Sequence, residues 1–363
     1  MVYFDYSATT PIDDAVIEEW VFTEKHIFAN ANSSHALGKR AFEYNQENLN
    51  KIASYLHVLP QEIILTSSAT EANNLAIKGC ALKHTNKKHI ITSEYEHASV
   101  VASIAACNLE VDFIALDENG LYRVDSLKDL IKEDTLMVSL TAVDSETGIR
   151  QPVEEIAKWC QKNKILFHCD ATQALGKCKI DFKDMDLVSI SAHKIYGPKG
   201  VGALIKKEKL KIVPLLHGGH SFTPYRSSTP TNALLAAFSK AIELAFDDCD
   251  KRIERVTELH DEMVLKLRAL NYVSINSNTY SIPHILNISI LNSVPEKDLI
   301  RLSDKGFYLS SKSACSGQEE FSKSVFALTH DQEKAKTSFR ISISHLSSLE
   351  EVDEFVNVIK EIF

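Results

Sequence analysis

Apolar residues along this chain gather in short runs, at 63–65, 89–92, 111–116, 136–140, 165–169, 187–190 and 202–205. Short apolar runs bounded by polar or turn residues read as buried strands. Several of the stretches between them, 71–83, 97–107 and 153–162, have helical length and repeat their apolar residues at a helical period. Alternating strands and helices predict an α/β large domain. Its core is a mostly parallel seven-stranded sheet covered on both faces. Sheets of this kind bind ligands beyond the carboxyl ends of their strands.

The flanks follow other patterns. Residues 3–11 form an extended piece, and Asp13-Asp14 open a helix through Trp20 and Val21. Residues 29–38 are small and polar, a loop, and a helix follows from Lys39 to Leu56. Residues 232–270 carry a helical pattern without proline or glycine, read as a connection between lobes that breaks near Asp247-Asp248. Beyond it, Leu286–Ile290 and Phe339–Ser344 alternate apolar and polar residues, as half-exposed strands do. Ser348 with Glu351 forms a capping box ahead of a last amphipathic helix. These elements predict a smaller α+β domain. The expected division is a large domain at 14–248 and a small one built from 1–13 and 249–363.

Composition narrows the class. The 363 residues are 44% hydrophobic and 25% charged, enough for a large core in a soluble protein. A net charge of −9 argues against direct DNA binding. No stretch is long enough to span a bilayer, and the N-terminus lacks the pattern of a signal peptide. Seven scattered cysteines show no zinc-type spacing, so no metal site is expected. Reduced thiols and a cytoplasmic location follow.

The unusual polar residues fall at strand ends. Lys194 lies just past the run 187–190, before Gly197-Pro198. A lysine partly desolvated there becomes nucleophilic, whereas one on a surface loop stays an ordinary cation. Ala69 and Thr70 open a helix directly after the strand 63–65, as in an anion site or a plain N-cap. Asp170 ends the strand 165–169, and Gln173 follows three residues on; the pair faces one ligand or forms a turn. His97 sits at a strand-to-helix junction, suited to proton transfer or to capping. Arg340 alternates with Phe339 and Ile341, facing a carboxylate or solvent. Cys315 stands among small polar residues beside Lys312, either a nucleophile or a chance surface thiol.

Taken together, Phe4–Thr10, Thr70–Gly79, Thr92–Val101, Asp170–Gln173, Ser191–Gly200 and Ser313-Ala314-Cys315 resemble the pyridoxal-phosphate cysteine desulfurases of the class V aminotransferase group. The resemblance covers nearly the whole chain. It implies a fold of the PLP-transferase type and the cofactor pyridoxal 5'-phosphate. It implies that Lys194 holds the cofactor as a Schiff base and moves the substrate proton. Asp170 would pair with the ring nitrogen, and Gln173 and Ser145 would face the ring hydroxyl. His97 would stack on the ring. Ala69, Thr70, Ser191 and His193 would hold the phosphate, joined by Thr229 from the other subunit of a homodimer. Arg340 would take the carboxylate of L-cysteine. Cys315, on a loop at about 311–325, would take the sulfur and pass it to an acceptor such as an iron–sulfur scaffold protein or a tRNA-thiolation partner.

The chain departs from the family pattern at Ser68, usually glycine, and at Asp144-Ser145, usually Asn-Asn. It departs again at His220, at Lys312 and near His345. Two rivals stay open beside cysteine desulfuration. One is another class V enzyme: a selenocysteine or cysteine-sulfinate lyase, or an aminotransferase. The other is a non-catalytic scaffold that keeps the fold.

Overall fold

A computed structural model describes residues 1–219, 221–311 and 321–363. The chain starts with β1 (Val2–Tyr3), α1 (Asp14–His26) and α2 (Ala36–Leu56). It then alternates through β2 (Ile63–Thr66), α3 (Ala69–Lys83), β3 (His89–Thr92), α4 (Ala98–Ala105) and β4 (Glu110–Phe113). The one-turn α5 (Leu127–Leu130) precedes β5 (Thr135–Thr141), α6 (Val153–Asn163) and β6 (Leu166–Asp170). The strands β7 (Leu187–Ser191) and β8 (Gly202–Lys206) close the series. All seven apolar runs form strands, in the order β2-β8-β7-β6-β5-β3-β4. Only β8 runs against its neighbours, pairing antiparallel with both β2 and β7.

Two helices follow, α7 (Asn232–Asp247) and α8 (Cys249–Arg268), with the expected break at Asp248. The remainder comprises β9 (Val273–Ile275), β10 (Ile285–Ile290), α9 (Pro295–Asp304) and β11 (Phe307–Tyr308). It ends with α10 (Lys323–Thr329), α11 (Gln332–Lys336), β12 (Ser338–Ser342) and α12 (Leu349–Ile362). Strands β12-β10-β9 make an antiparallel sheet, and β1 pairs with β11. Local chemistry sets the helix ends. Asp13 caps α1, and Ser348 with Glu351 forms the capping box of α12.

Apolar side chains form separate cores. One lies under the seven-stranded sheet and takes in residues from Val16 to Ala327. Another joins Val2 and Phe4 to α8, β10, β12 and α12, through residues such as Val256, Ile288, Phe339 and Phe355.

Two expectations are corrected. The strands β10 and β12 are buried along their full length, not half-exposed. Their polar residues bond to other parts of the chain rather than to water, Ser289 to the carbonyl of Lys334 and Ser342 to that of Phe4. Asn287 donates to the carbonyl of Glu146, and Arg340 reaches Asp5 and the carbonyl of Ser145. The loop expected at 311–325 ends earlier, because α10 begins at Lys323, where Ser322 caps it by accepting from Val325. Cys315, Lys312 and His220 lie outside the described residues.

Candidate active site

Strand ends build the site. β6 ends on Asp170, β7 ends on Ser191, and a single helical turn at Ala192–Lys194 follows at once. These parallel neighbours carry their end residues to one edge of the sheet. A strap from the N-terminus crosses that edge. The Thr10 amide donates to the carbonyl of His193 at 3.0 Å, and the Asp13 amide to that of Tyr196 at 3.0 Å. Tyr196 has a φ of 65°, a costly backbone state for a bulky residue. It is held there by its amide, which donates to Thr10 Oγ1 at 2.8 Å, and by the Asp13 bond. Lys194 is thereby fixed under the strap, donating from Nζ to the carbonyls of Ser7 (2.5 Å) and Ala8 (2.8 Å).

A cleft of about 200 Å³ opens at this edge. Lys194, Asp170, Gln173 and His193 line it from the sheet side, with Ala69 and Thr70 at the start of α3. His97, Ser145 and Arg340 complete it. Nine of the residues singled out in the sequence therefore meet at one place. Ser191 does not line the cleft; it is buried behind, with no partner for Oγ among the described residues. Thr229 is exposed and lies outside the cleft of its own chain.

Hydrogen bonds fix each group. Asp170 accepts from Asn73 Nδ2 at 2.8 Å and from the amide of Thr172 at 3.0 Å, one bond to each oxygen. That leaves lone pairs on a carboxylate aimed at the cleft. His97 caps α4, its Nδ1 accepting from the amide of Ser99 at 3.1 Å. The neutral ring then carries its proton on Nε2. Burial, helped by the charge of Lys194 and opposed by Asp170, lowers the affinity of His97 for a second proton. His193 is pushed down to about 4 by burial and by the nearby lysines. It therefore faces the cleft as a neutral donor rather than a cation.

Glu96 anchors the loop that carries His97. Its Oε1 accepts from Ser93 Oγ (2.7 Å) and from the amide of Thr141 (2.8 Å). Its pKa is raised to about 8, first by burial and further by the charges of Asp170 and Asp144, against those two bonds. The folded pKa exceeds the ordinary 4.5, so the unfolded chain ionises first as pH rises. Stability from this residue is complete below about 4.5 and is lost as pH climbs towards 8. Glu96→Gln cannot ionise. Its melting temperature relative to the native chain is expected to rise steadily between pH 5 and 8, checked by calorimetry across that range.

The departures from the family pattern are tolerated for physical reasons. Ser68 is extended, with φ −174°, a conformation open to any residue, and caps α3 by accepting from Glu71. Asp144 accepts from Thr147 and from Ser324 Oγ at 2.8 Å, and Glu146 accepts from Ser322 Oγ. Two carboxylates beside Ser145 thus tie down the chain just beyond the Cys315 segment. At the other end Ser310 pairs with Arg340. The described residues on either side of that segment thus bond to Arg340, which lines the cleft, and to the two neighbours of Ser145, which also lines it. His345 packs edge-on against Tyr196, 4.7 Å between ring centres.

The sequence profile of the aminotransferase class-V family matches residues 2–355. The cysteine desulfurase IscS of Colwellia psychrerythraea is 37% identical over 99% of this chain and 92% of its own length. The chain belongs to the cysteine desulfurase branch of the class-V aminotransferases. The mitochondrial cysteine desulfurase of Saccharomyces cerevisiae is also 37% identical, over 99% of this chain and 74% of that protein. Among solved structures, a NifS-like protein superposes with a TM-score of 0.93 at 32% identity, covering 99% of this chain and 98% of that one. SspA, solved in complex with cysteine, superposes at 0.84 with 29% identity, covering 96% and 100%.

Enzymes of this family use pyridoxal 5'-phosphate, and the cleft fits it. The hydroxyls of Ser7 and Thr172, both on residues lining the cleft, are buried without a partner among the described residues. The first N–H groups of α3 have no intrahelical partner and point at the same space. Gly202 lets β8 press against that helix start. A Cβ there would sit 2.6 Å from the Ile190 carbonyl oxygen and 3.0 Å from the Ser68 carbonyl carbon.

Sequence reasoning missed several members of this site. The carbonyls of Ser7 and Ala8 belong to the strap, which carries no charge to notice. Asn73 had a signal: asparagine is a poor helix former, so one buried inside α3 needs a polar partner.

Proposed function

We propose that this cleft converts L-cysteine to L-alanine, with Lys194 moving the substrate proton and Cys315 taking the sulfur. The chain's membership among the cysteine desulfurases gives the reaction. The single observation that carries the residue assignment is the meeting of Lys194, Asp170 and Arg340 in one cleft. The bound cofactor supplies an electron sink for charge that develops at the substrate's α carbon.

The residues then divide the work. Lys194 Nζ takes the proton from Cα and returns it at the end. Asp170 keeps a proton on the ring nitrogen, and Asn73 and Thr172 hold that carboxylate in place. Gln173 and Ser145, both in the lining, would face the ring hydroxyl oxygen, Gln173 as donor. His97, whose Nδ1 is taken by the Ser99 amide, would present Nε2–H to the ring. Ala69, Thr70 and His193 would hold the phosphate, with Ser191 in the layer behind them, its Oγ unpartnered among the described residues. Arg340 binds the substrate carboxylate: its Nε is buried without a partner among the described residues, while its other nitrogens reach Asp5 (2.7 Å) and the Ser145 carbonyl (3.2 Å).

Cys315 Sγ attacks the substrate sulfur. The substrate C–S bond breaks, the sulfur remains on Cys315 as a persulfide, and the carbon is protonated to alanine. Cys315 is the fifth residue after Ser310. That is an extended reach of at most about 17 Å from Ser310, whose backbone pairs with Arg340.

Arg340→Lys keeps a charge for Asp5 but loses the flat fork that grips a carboxylate. KM for cysteine is expected to rise about 10- to 100-fold with kcat within a few-fold, measured by steady-state kinetics.

Further assignments extend the reading. A homodimer is supported by exposed apolar residues on one region of the chain, including Phe22, Phe28, Leu37 and Phe42, and by Thr229 lying outside its own cleft. Sedimentation equilibrium tests it. The persulfide is passed to an acceptor such as an iron–sulfur scaffold or tRNA-thiolation partner. A cytoplasmic site is supported by six unpaired cysteines among the described residues. Among those residues no helix is long and apolar enough to cross a membrane. A division near residues 13 and 248 is supported by the two cores, the sheet core drawing on residues 16–245 with only Ile282, Ile285 and Ala327 from beyond, and the other on Val2, Phe4 and residues from Val256 onward.

A further inference from the structure

Lys177 is almost fully buried, 7% exposed, at the back of the cleft and outside its lining. Burying a lysine is costly unless it has a task or a partner. The turn that follows β6 carries it there. Gly176, at a φ of 69°, turns the chain so that Lys177 points back at Gln173 four residues earlier. Lys177 Nζ donates to Gln173 Oε1 at 2.6 Å, the sole hydrogen bond of that amine among the described residues. The other end of the same amide, Gln173 Nε2, donates to the carbonyl of Ser7 at 2.9 Å.

The two partners are of opposite kinds. An amine has N–H groups to give, and a backbone carbonyl can only accept. Turning the Gln173 amide over would set oxygen against oxygen at Ser7 and N–H against N–H at Lys177. The orientation is therefore fixed twice. The amide spends one Nε2 hydrogen on Ser7 and keeps the second for the cleft.

We propose that Lys177 is a positioning residue, locking the Gln173 amide so that an N–H and not the carbonyl faces the cofactor's ring oxygen. The inference rests on the reading above that Gln173 contacts that oxygen. Lys177 itself touches neither cofactor nor substrate. Its pKa is lowered to about 7, by burial first and then by the charges of Lys194 and Arg340. The bond survives that titration, because the amine donates in either state. A neutral amine also spares the cleft another buried cation beside Lys194. Cys178 acts the other way, and His193 and His284, which also sense Lys177, have their affinity for a proton lowered by burial.

A double-mutant cycle tests this, reading the cofactor dissociation constant and the position and pH midpoint of the bound cofactor's visible band. Lys177→Met keeps the volume and removes the donor. It is expected to weaken cofactor binding about 10-fold and to shift the midpoint. Gln173→Ala is expected to do the same, and the double variant to be no worse than Gln173→Ala alone. A purely structural lysine would give effects that add. Additive effects, or a Lys177→Met protein with native cofactor binding and midpoint, overturn the proposal. If Gln173→Ala leaves band and affinity unchanged, it is the role of Gln173 that fails, and the inference falls with it. Melting of the cofactor-free variants checks folding. Should Lys177→Met not fold, Lys177→Gln, a shorter side chain that cannot reach Gln173 as an ammonium does, takes its place in the same cycle.

Discussion

Replacing Lys194 with alanine is expected to lower kcat for cysteine at least about 10³-fold. The estimate comes from the 10²- to 10⁴-fold typically supplied by a positioned proton-transfer group. No neighbour can substitute. Lys177 is the other amine at the back of the cleft, but its Nζ is turned to Gln173 and away from the space Lys194 occupies. His97 and His193 are both disfavoured as cations. Neither has the reach of a lysine from the strand end. A second readout isolates the covalent role. Borohydride treatment of the native enzyme is expected to fix the cofactor to the peptide containing Lys194. In Lys194→Ala the cofactor is expected to wash out after the same treatment. Retention in the variant would mean that another amine holds it. The fold should survive, because the strap that Lys194 bonds at Ser7 and Ala8 keeps its own bonds through Thr10 and Asp13.

Replacing Cys315 with alanine is expected to abolish sulfide release from cysteine, by about 10²-fold or more, while cofactor binding and the visible band stay native. The reasoning is positional. No described cysteine lines the cleft, and burial drives up the thiols of Cys80 and Cys160 to about 12 and of Cys178 to about 11. A thiol that cannot ionise near neutrality is a poor nucleophile. The same variant separates the rival chemistries. A lyase acting on cysteine sulfinate needs no acceptor thiol, so it would keep its rate. A scaffold without catalysis would show no rate in either form.

Six of the seven strands were legible because buried strands of an α/β sheet are apolar on both faces and stand out as apolar runs; the one at 111–116 was read as buried too, but β4 is an edge strand with no buried residue. The cleft was legible for a related reason. Lys194 and Asp170 follow such runs immediately, and parallel strands bring their ends together. Arg340 was harder. Alternation along β12 gave its face correctly, but not that the loop at 144–147 covers this face, so an exposed strand was expected where a buried one stands. Coverage by a distant loop leaves no trace in local periodicity. Lys177 is the same problem at a single residue. Nothing in Gly-Lys-Cys distinguishes a buried amine from a surface one. Only the φ of Gly176 and the position of Gln173 make the difference.

The most direct test of the account is the mass of the peptide containing Cys315 after brief incubation of the enzyme with L-cysteine. The account predicts a gain of about 32 Da, one sulfur atom on the thiol. Sulfinic acid adds nearly the same mass, so the peptide is measured again after a thiol reductant, which strips a persulfide and leaves a sulfinate. A gain at Cys315 that the reductant removes, absent from Lys194→Ala, is the expected result. Alanine formed from cysteine while Cys315 stays unmodified, or sulfur found on another cysteine, would contradict it.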